Sequence, residues 1–266
     1  MQYPQRIVCL TDETTEWLYL LEQQHRIVGI SGFTVRPPQA RKEKPRVSAF
    51  TSAKIGKILD LKPDLVLAYS DLQADIVASL VREGLNVHVF NQRSVDEIFA
   101  SMHLLAAMVG CAEQGNKLIA EIKQTISDIQ HRSESYKKKP RVYFEEWDDP
   151  VISGIAWVSE LIGLAGGVDC FAELGCEPLA KNRIIADHQR IIDKQPDIII
   201  GSWCGKKFRP ERVAERPGWQ DIPAVKNHYV YEIKSAYILQ PGPASLTEGL
   251  NQLHQIIDGW AKDQTA

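Results

Sequence analysis

The sequence predicts an α/β protein of two lobes, each a mainly parallel sheet flanked by helices, joined by one long bridging α-helix. Three observations carry that prediction. Short apolar runs of strand length alternate with helical patterns, which is the signature of βαβ units. One helical segment, from Ala112 to about Lys138, has no strand near it. And the stretch LDLKPDLVLA (Leu59–Ala68) is echoed by IDKQPDIIIG (Ile192–Gly201), an offset of 133 residues in a chain of 266. The expected domains are residues 1–111, the bridging helix 112–139, and residues 140–266.

The elements follow in order. Ile7–Leu10 reads as a short buried strand. Thr11-Asp12-Glu13 then supplies a cap and first-turn acids for a helix carrying Trp17, Leu18 and Leu21. Ile27–Ile30 and Leu65–Ala68 are the next strands. Asp71–Arg82 is a helix stopped near Gly84, Val87–Phe90 a strand, and Ser94–Glu97 a capping box that opens another helix. In the long segment Leu118, Ile122, Ile126 and Ile129 form one apolar stripe, Lys137–Lys139 suit the last turn, and Pro140 ends the helix. About 25 helical residues would reach roughly 37 Å. Val142–Phe144, Ile198–Gly201 and Tyr229–Ile233 are strands of the second lobe. Val158–Leu164 and the closing segment from Ser245 to about Trp260 are helices.

Composition excludes several classes. The formal net charge is −3, so no basic field is present to hold a nucleic-acid backbone. No run approaches the ~20 apolar residues of a membrane span. Five cysteines, an odd number with no CxxC pair, suit reduced thiols better than a disulfide framework or a structural zinc site. The N-terminal residues lack the basic-then-apolar pattern of an export signal. The expected location is therefore cytoplasmic, with a periplasmic protein whose signal has been removed as the alternative.

Several stretches together resemble one family. They are RIVCL (Arg6–Leu10), VGISGF with PPQA (Val28–Ala40), VSAF (Val47–Phe50), ILDLKPDLVLA (Ile58–Ala68), Ser153-Gly154 and LAGG (Leu164–Gly167). The chain resembles the substrate-binding proteins of ABC importers for cobalamin, siderophores and haem, and is most similar to the cobalamin-binding branch. That resemblance implies two lobes bridged by one helix and a ligand held in the cleft between them. It also implies a glutamate on each lobe that meets the membrane permease. The matching positions here are Gly56 and Gln189, which cannot form a charge-assisted pair. The resulting expectation is an intracellular ligand holder that does not dock to a permease. The alternative is the periplasmic component of an importer, docking through other acids such as Glu43 or Glu211.

Ligands of open parallel sheets gather at the carboxyl ends of the strands. That rule selects Phe33, Phe50 and Tyr69 in the first lobe. In the second it selects Glu145, Trp147, Asp148, Trp203, Lys206, Lys234 and Tyr237, with Trp157 beside them. Aromatic rings give wide contact area to a large flat ligand, and the resemblance places Phe50 and Phe33 at or near the wall positions of the cobalamin branch. Lys206 and Lys234 could hold an anion, or be solvated.

The acidic stretch FEEWDDP (Phe144–Pro150) has three readings. A catalytic acid pair would need partners, yet the chain has no GxSxG and no HExxH, so no catalytic residue is assigned and an enzyme reusing the cleft is the least favoured class. A metal site would need converging histidines, and His88, His131 and His188 fall inside a strand or on helices, so no metal and no cofactor is expected. The third reading is a recognition loop, in which an inward carboxylate accepts hydrogen bonds from a ligand's amides. Strand alternation sends Glu145 and Glu146 to opposite sides. The expected function is non-catalytic binding of a corrinoid-like (cobalamin or cobinamide) or similarly large small molecule.

Overall fold

All four strands predicted for the first lobe are present in the computed structural model, which describes residues 3–264. The chain divides into two compact units: Met1–Gln92 with Asp96–Glu121, and Arg93–Val95 with Ile122–Ala266. Each is built on its own five-stranded sheet.

In the first unit the strands are β1 (Ile7–Cys9), β2 (Ile27–Ser31), β3 (Arg46–Ser48), β4 (Leu65–Tyr69) and β5 (Val87–Phe90). All pair in parallel, in the order β3-β2-β1-β4-β5. β1 and β4 are buried along their whole length, which is why they read as unbroken apolar runs. β3 is absent from the sequence expectations. It is a three-residue edge strand whose only buried side chain is Val47, too short to show a period. Helix Asp12–Leu20 follows β1, with Thr11 in extended conformation at its start. The Thr11 hydroxyl donates to Glu13 Oε1 at 2.6 Å instead of accepting from a helix N–H. Trp17 is core and donates from Nε1 to the carbonyl of Met102 at 2.8 Å, tying this helix to helix Val95–Met108. Gly115 lets the next helix approach closely, since a Cβ there would sit 2.5 Å from that of Ala106.

That next helix is Ala112–Ser133, 22 residues long, and the division between the units falls within it at Glu121. It is shorter than the sequence predicts. Ser133 and Ser135 donate from their hydroxyls to the carbonyls of Gln130 and Arg132, closing the last turn. Lys137–Lys139 therefore lie beyond it. The buried stripe runs through Gly115, Ile119, Ile122, Ile126 and Ile129, with Leu118 only half-buried.

In the second unit the strands are β6 (Arg141–Asp148), β7 (Val151–Ser153), β8 (Val168–Asp169), β9 (Ile198–Gly201) and β10 (Val230–Glu232). The order is β10-β9-β6-β7, with β8 also beside β6. All pairs are parallel except β6–β7. The acidic stretch is therefore no loop. β6 continues through Glu145, Glu146, Trp147 and Asp148, turns at Asp149-Pro150, and returns antiparallel as β7. The turn pair Asp-Pro marks the hairpin, but charged residues on either side conceal the strand. Helix Ala156–Leu164 packs against helix Leu250–Asp263, which is preceded by a π-helical turn at Ser245–Gly249.

The internal echo is structural. Helices Ile55–Asp60 and Gln189–Lys194 each run into a left-handed residue, Lys62 and Gln195, both at φ 46°. Each is followed by Pro-Asp and then by β4 or β9. Asp64 accepts from the backbone N–H groups of Gln5 and Arg6, and Asp197 from that of Arg141. In both units the aspartate pins the start of the neighbouring strand.

Candidate functional site

Strand alternation decides what the acids of β6 can do. Glu145 points into the second unit and is fully buried. Its Oε2 accepts from Tyr143 Oη at 3.0 Å and Arg216 Nη1 at 2.6 Å. Its Oε1 accepts from Trp203 Nε1 at 3.1 Å and Arg216 Nη2 at 2.8 Å. Four donors fill the lone pairs of a carboxylate. Glu145 is thus not the free acceptor for ligand amides that the sequence suggests; its hydrogen bonds are spent inside the unit. Burial, with the neighbouring carboxylate second, holds the Tyr143 phenol well above its usual range, so it is the donor. Glu146 faces the other way and pairs with Arg183, itself only 2% exposed. Arg183 also donates to the carbonyl of Ser153.

Asp148 is taken up by Lys206, whose Nζ lies 2.7 and 2.6 Å from its two oxygens. The same ammonium sits 5.5 Å from the centre of the Trp147 ring and 5.2 Å from that of Trp203, a cation–π arrangement on both. Trp203 is core, edge-on to Phe208 at 4.8 Å. Trp147 stays half-buried, its Nε1 donating to the carbonyl of Asp149 at 2.9 Å. Trp157 is buried too. Its Nε1 donates to the carbonyl of Ile238 at 3.0 Å, so it packs the unit and presents no ring to a ligand. Lys234 is exposed and Tyr237 half-buried, past the end of β10.

In the first unit Phe33 is 51% exposed, beyond β2, and Phe50 is half-buried beyond β3. Tyr69 ends β4 buried, its hydroxyl donating to the carbonyl of Gln92 at 3.0 Å, which makes it part of the frame. The strand ends here carry a feature absent from the sequence expectations. Asp12, Glu13 and Glu16 all lie buried on the first turns of helix Asp12–Leu20. Burial pushes Asp12 and Glu13 each up to about 7, while Glu16 pairs with Arg36 at 2.7 Å. First-turn acids had a sufficient local explanation in the helix dipole, which hid their burial.

Among the described residues no group of histidines, cysteines and acids could hold a metal ion. All five cysteines are free, and burial pushes the thiols of Cys9 and Cys170 up to about 12, which keeps them inert. Arg216, Arg183 and Tyr143 are the site residues that sequence reasoning misses. Arg216 meets Glu145 across 71 positions, and neither residue's neighbours signal the other.

A family model described as "Periplasmic binding protein" matches residues 7–237. The chain belongs to this family. Among curated relatives of this periplasmic binding protein family member is an uncharacterized ABC transporter substrate-binding lipoprotein of Bacillus subtilis. It is 26% identical over 263 residues, covering 96% of this chain and 80% of the relative. A vitamin B12-binding protein of Vibrio cholerae is 27% identical, over 91% of this chain and 85% of its own length. The crystal structure of the periplasmic vitamin B12-binding protein of that organism matches with a TM-score of 0.77 at 25% identity, over 97% of this chain and 98% of its own. The periplasmic haem-binding protein of Roseiflexus sp. RS-1 matches with a TM-score of 0.79 at 21% identity, covering 95% and 99%, and shares the fold. Two α/β units with parallel sheets flanked by helices are the architecture of these proteins. No helix among the described residues is long and apolar enough to cross a membrane.

Proposed function

We propose that this protein is a non-catalytic binder of corrinoid-type ligands, serving as the substrate-binding component of an ABC importer. The observation that carries the reading is the match to a vitamin B12-binding protein over 91% of this chain. The exported setting follows the same relatives, one named a lipoprotein and one, in its crystal structure, periplasmic. The strand-end residues not consumed by the core support a large, partly planar ligand. Within the second unit these are Trp147, Lys234 and Tyr237; within the first, Phe33 and Phe50. Glu145 and Asp148 contribute by fixing Trp203 and Lys206 in place.

The test is titration with cyanocobalamin, cobinamide and haem, read by native mass spectrometry and tryptophan fluorescence. Binding of a corrinoid tighter than ~100 μM, about −5.5 kcal/mol, is expected. Failure of all three at that level ends the reading. Phe50→Ala should weaken corrinoid binding about tenfold with the fold intact.

A second reading, an intracellular ligand holder without permease docking, is favoured by one observation. Gly56 and Gln189 are exposed near the starts of their helices and carry no charge, and Gln189 is engaged with Asp193 at 2.8 Å. Fractionation of cells making the natural reading frame separates the two. A lipid-anchored or exported product supports the importer, and a cytosolic one supports the second reading.

A further inference from the structure

β5 is an edge strand. Among the described residues it pairs with β4 on one side and with no strand on the other. In that ladder the carbonyls of Asn86 and Phe90 accept from the N–H groups of Val66 and Ser70 at 2.9 and 2.7 Å. The backbone groups of Val87 and Val89, one residue out of phase, therefore point away from the sheet. An open row of N–H and C=O groups is a template for another strand, and proteins ordinarily blunt it with charge or proline. The opposite edge of the same sheet does so, since Lys44-Pro45-Arg46 leads into β3 with both cations exposed. β5 carries no such device. Gly84 to Phe90 contains no acid, lysine, arginine or proline.

The side chains beside this edge are apolar. Val87 packs on the cluster that includes Ile58, Ile76 and Leu80, so it faces helix Ala74–Arg82. Val89, two residues on, faces the same way and is 39% exposed. The helix packs on β5 and sinks Ile76 and Leu80 into the core. A right-handed crossover from β4 to β5 turns the flank carrying Ala74, Ala78 and Val81 toward the open edge, and helix Ile55–Asp60 takes the other flank. Val81 is 55% exposed, and Ala74 is exposed as well. Helix flank and strand edge make one apolar strip.

The symmetry of the strip selects its occupant. Val87-His88-Val89 reads the same in both directions. When a second copy is laid antiparallel about a two-fold axis at His88, Val87 faces the partner's Val89, and Val89 faces the partner's Val87. The four outward bonds are then all made, because these are the residues whose N–H and C=O groups point out. The same axis sets the two flanks of Ala74, Ala78 and Val81 against each other. A foreign strand could take the backbone bonds, but only a second copy brings a matching helix flank by symmetry. With no charge on the strand, no like charges meet along it.

We propose that this protein self-associates edge to edge, two copies pairing their β5 strands antiparallel about a two-fold axis at His88 to make one continuous sheet. The strip is smaller than the about 20–30 residues a side of a standard interface, which sets the dissociation constant in the micromolar range and not below it. None of the residues proposed for the corrinoid lies on the strip, and the proposal is independent of that reading.

Sedimentation equilibrium of the full chain in reducing buffer, from about 5 μM to about 500 μM, tests it. The mass is expected to rise from 30.0 kDa toward twice that value. Val89→Lys on the strand and Val81→Glu on the helix flank are each expected to weaken the dimer about tenfold. Both side chains are exposed, so the fold is retained, which far-UV circular dichroism checks. A cross-link reads the register. Residues opposite each other at the axis have Cα atoms about 4.5 Å apart, within disulfide range. A chain carrying His88→Cys, with the exposed Cys176 and Cys204 changed to serine, should therefore oxidise to a covalent dimer, and the same chain retaining His88 should not. A parent chain that stays monomeric across the whole range overturns the proposal. So does a dimer that either valine variant leaves unaltered, or one that fails to cross-link through position 88.

Discussion

Glu145 shows how a residue can be placed by its sequence and misjudged in its role. Alternation along β6 sets it on the opposite side from Glu146, as observed. What alternation cannot supply is the partner. Arg216 arrives from a turn 71 residues away, and Trp203 from the end of β9. An inward carboxylate with no visible partner looks like a ligand acceptor; with four donors it is a strut. Glu145→Gln leaves the Arg216 charge buried with half its acceptors. It should cost about 3–5 kcal/mol, measured as a lower urea midpoint at unchanged slope. Replacing both residues together with leucine should cost much less than the single change, because no buried charge then remains unpaired. A single variant as stable as the parent would show that the pair is open to water.

At the scale of elements, local signals were legible wherever one short stretch contained the whole device. The Pro-Asp turn is the clearest case. A left-handed residue, a proline that ends the helix and an aspartate that takes strand N–H groups stand consecutively, so both copies could be found by eye. β3, β7 and β8 were not legible, because strands of two or three residues show no period of their own; β1 and β10, equally short, were legible because they sit within the longer, mostly apolar runs Ile7–Leu10 and Tyr229–Ile233. The end of helix Ala112–Ser133 was misplaced because serine hydroxyls, not the later proline, close it. Glycines divide in the same way. At Gly201 a Cβ would overlap the ring of Phe208, which packs directly on β9, whereas at Gly56 nothing lies within 4 Å. Gly201→Ala should therefore destabilise by about 1–3 kcal/mol through overpacking. Gly56→Ala, in a helix with open space around it, should be neutral or stabilise by up to about 1 kcal/mol. Thermal unfolding of the two variants side by side checks the pair, and equal shifts would contradict the packing account.

For the molecule as a whole, a net charge of −3 offers no basic field for a nucleic-acid backbone, but it gave no hint of how stability depends on pH, because that depends on which acids are buried. Asp12 and Glu13 begin from ordinary values of 3.8 and 4.5, and in the folded chain burial lifts both to about 7. Between pH ~4 and ~7 the folded protein therefore keeps protons that the unfolded chain has released. Stability from these two groups is complete below about pH 4 and is lost as the pH rises through 7. Asp169, also raised by burial, adds in the same direction. Asp258, held low by its bond from Lys262, acts oppositely, and only at the acid end. The melting temperature should thus fall from pH 5 to pH 7.5, by an amount set by a few kcal/mol in total. In a chain carrying Asp12→Asn and Glu13→Gln the same scan should be flatter, since amides keep the shape and release no proton. The difference between the two curves isolates the buried acids from every other titrating group, and curves that run parallel would mean that Asp12 and Glu13 are ionised in the folded protein at pH 6.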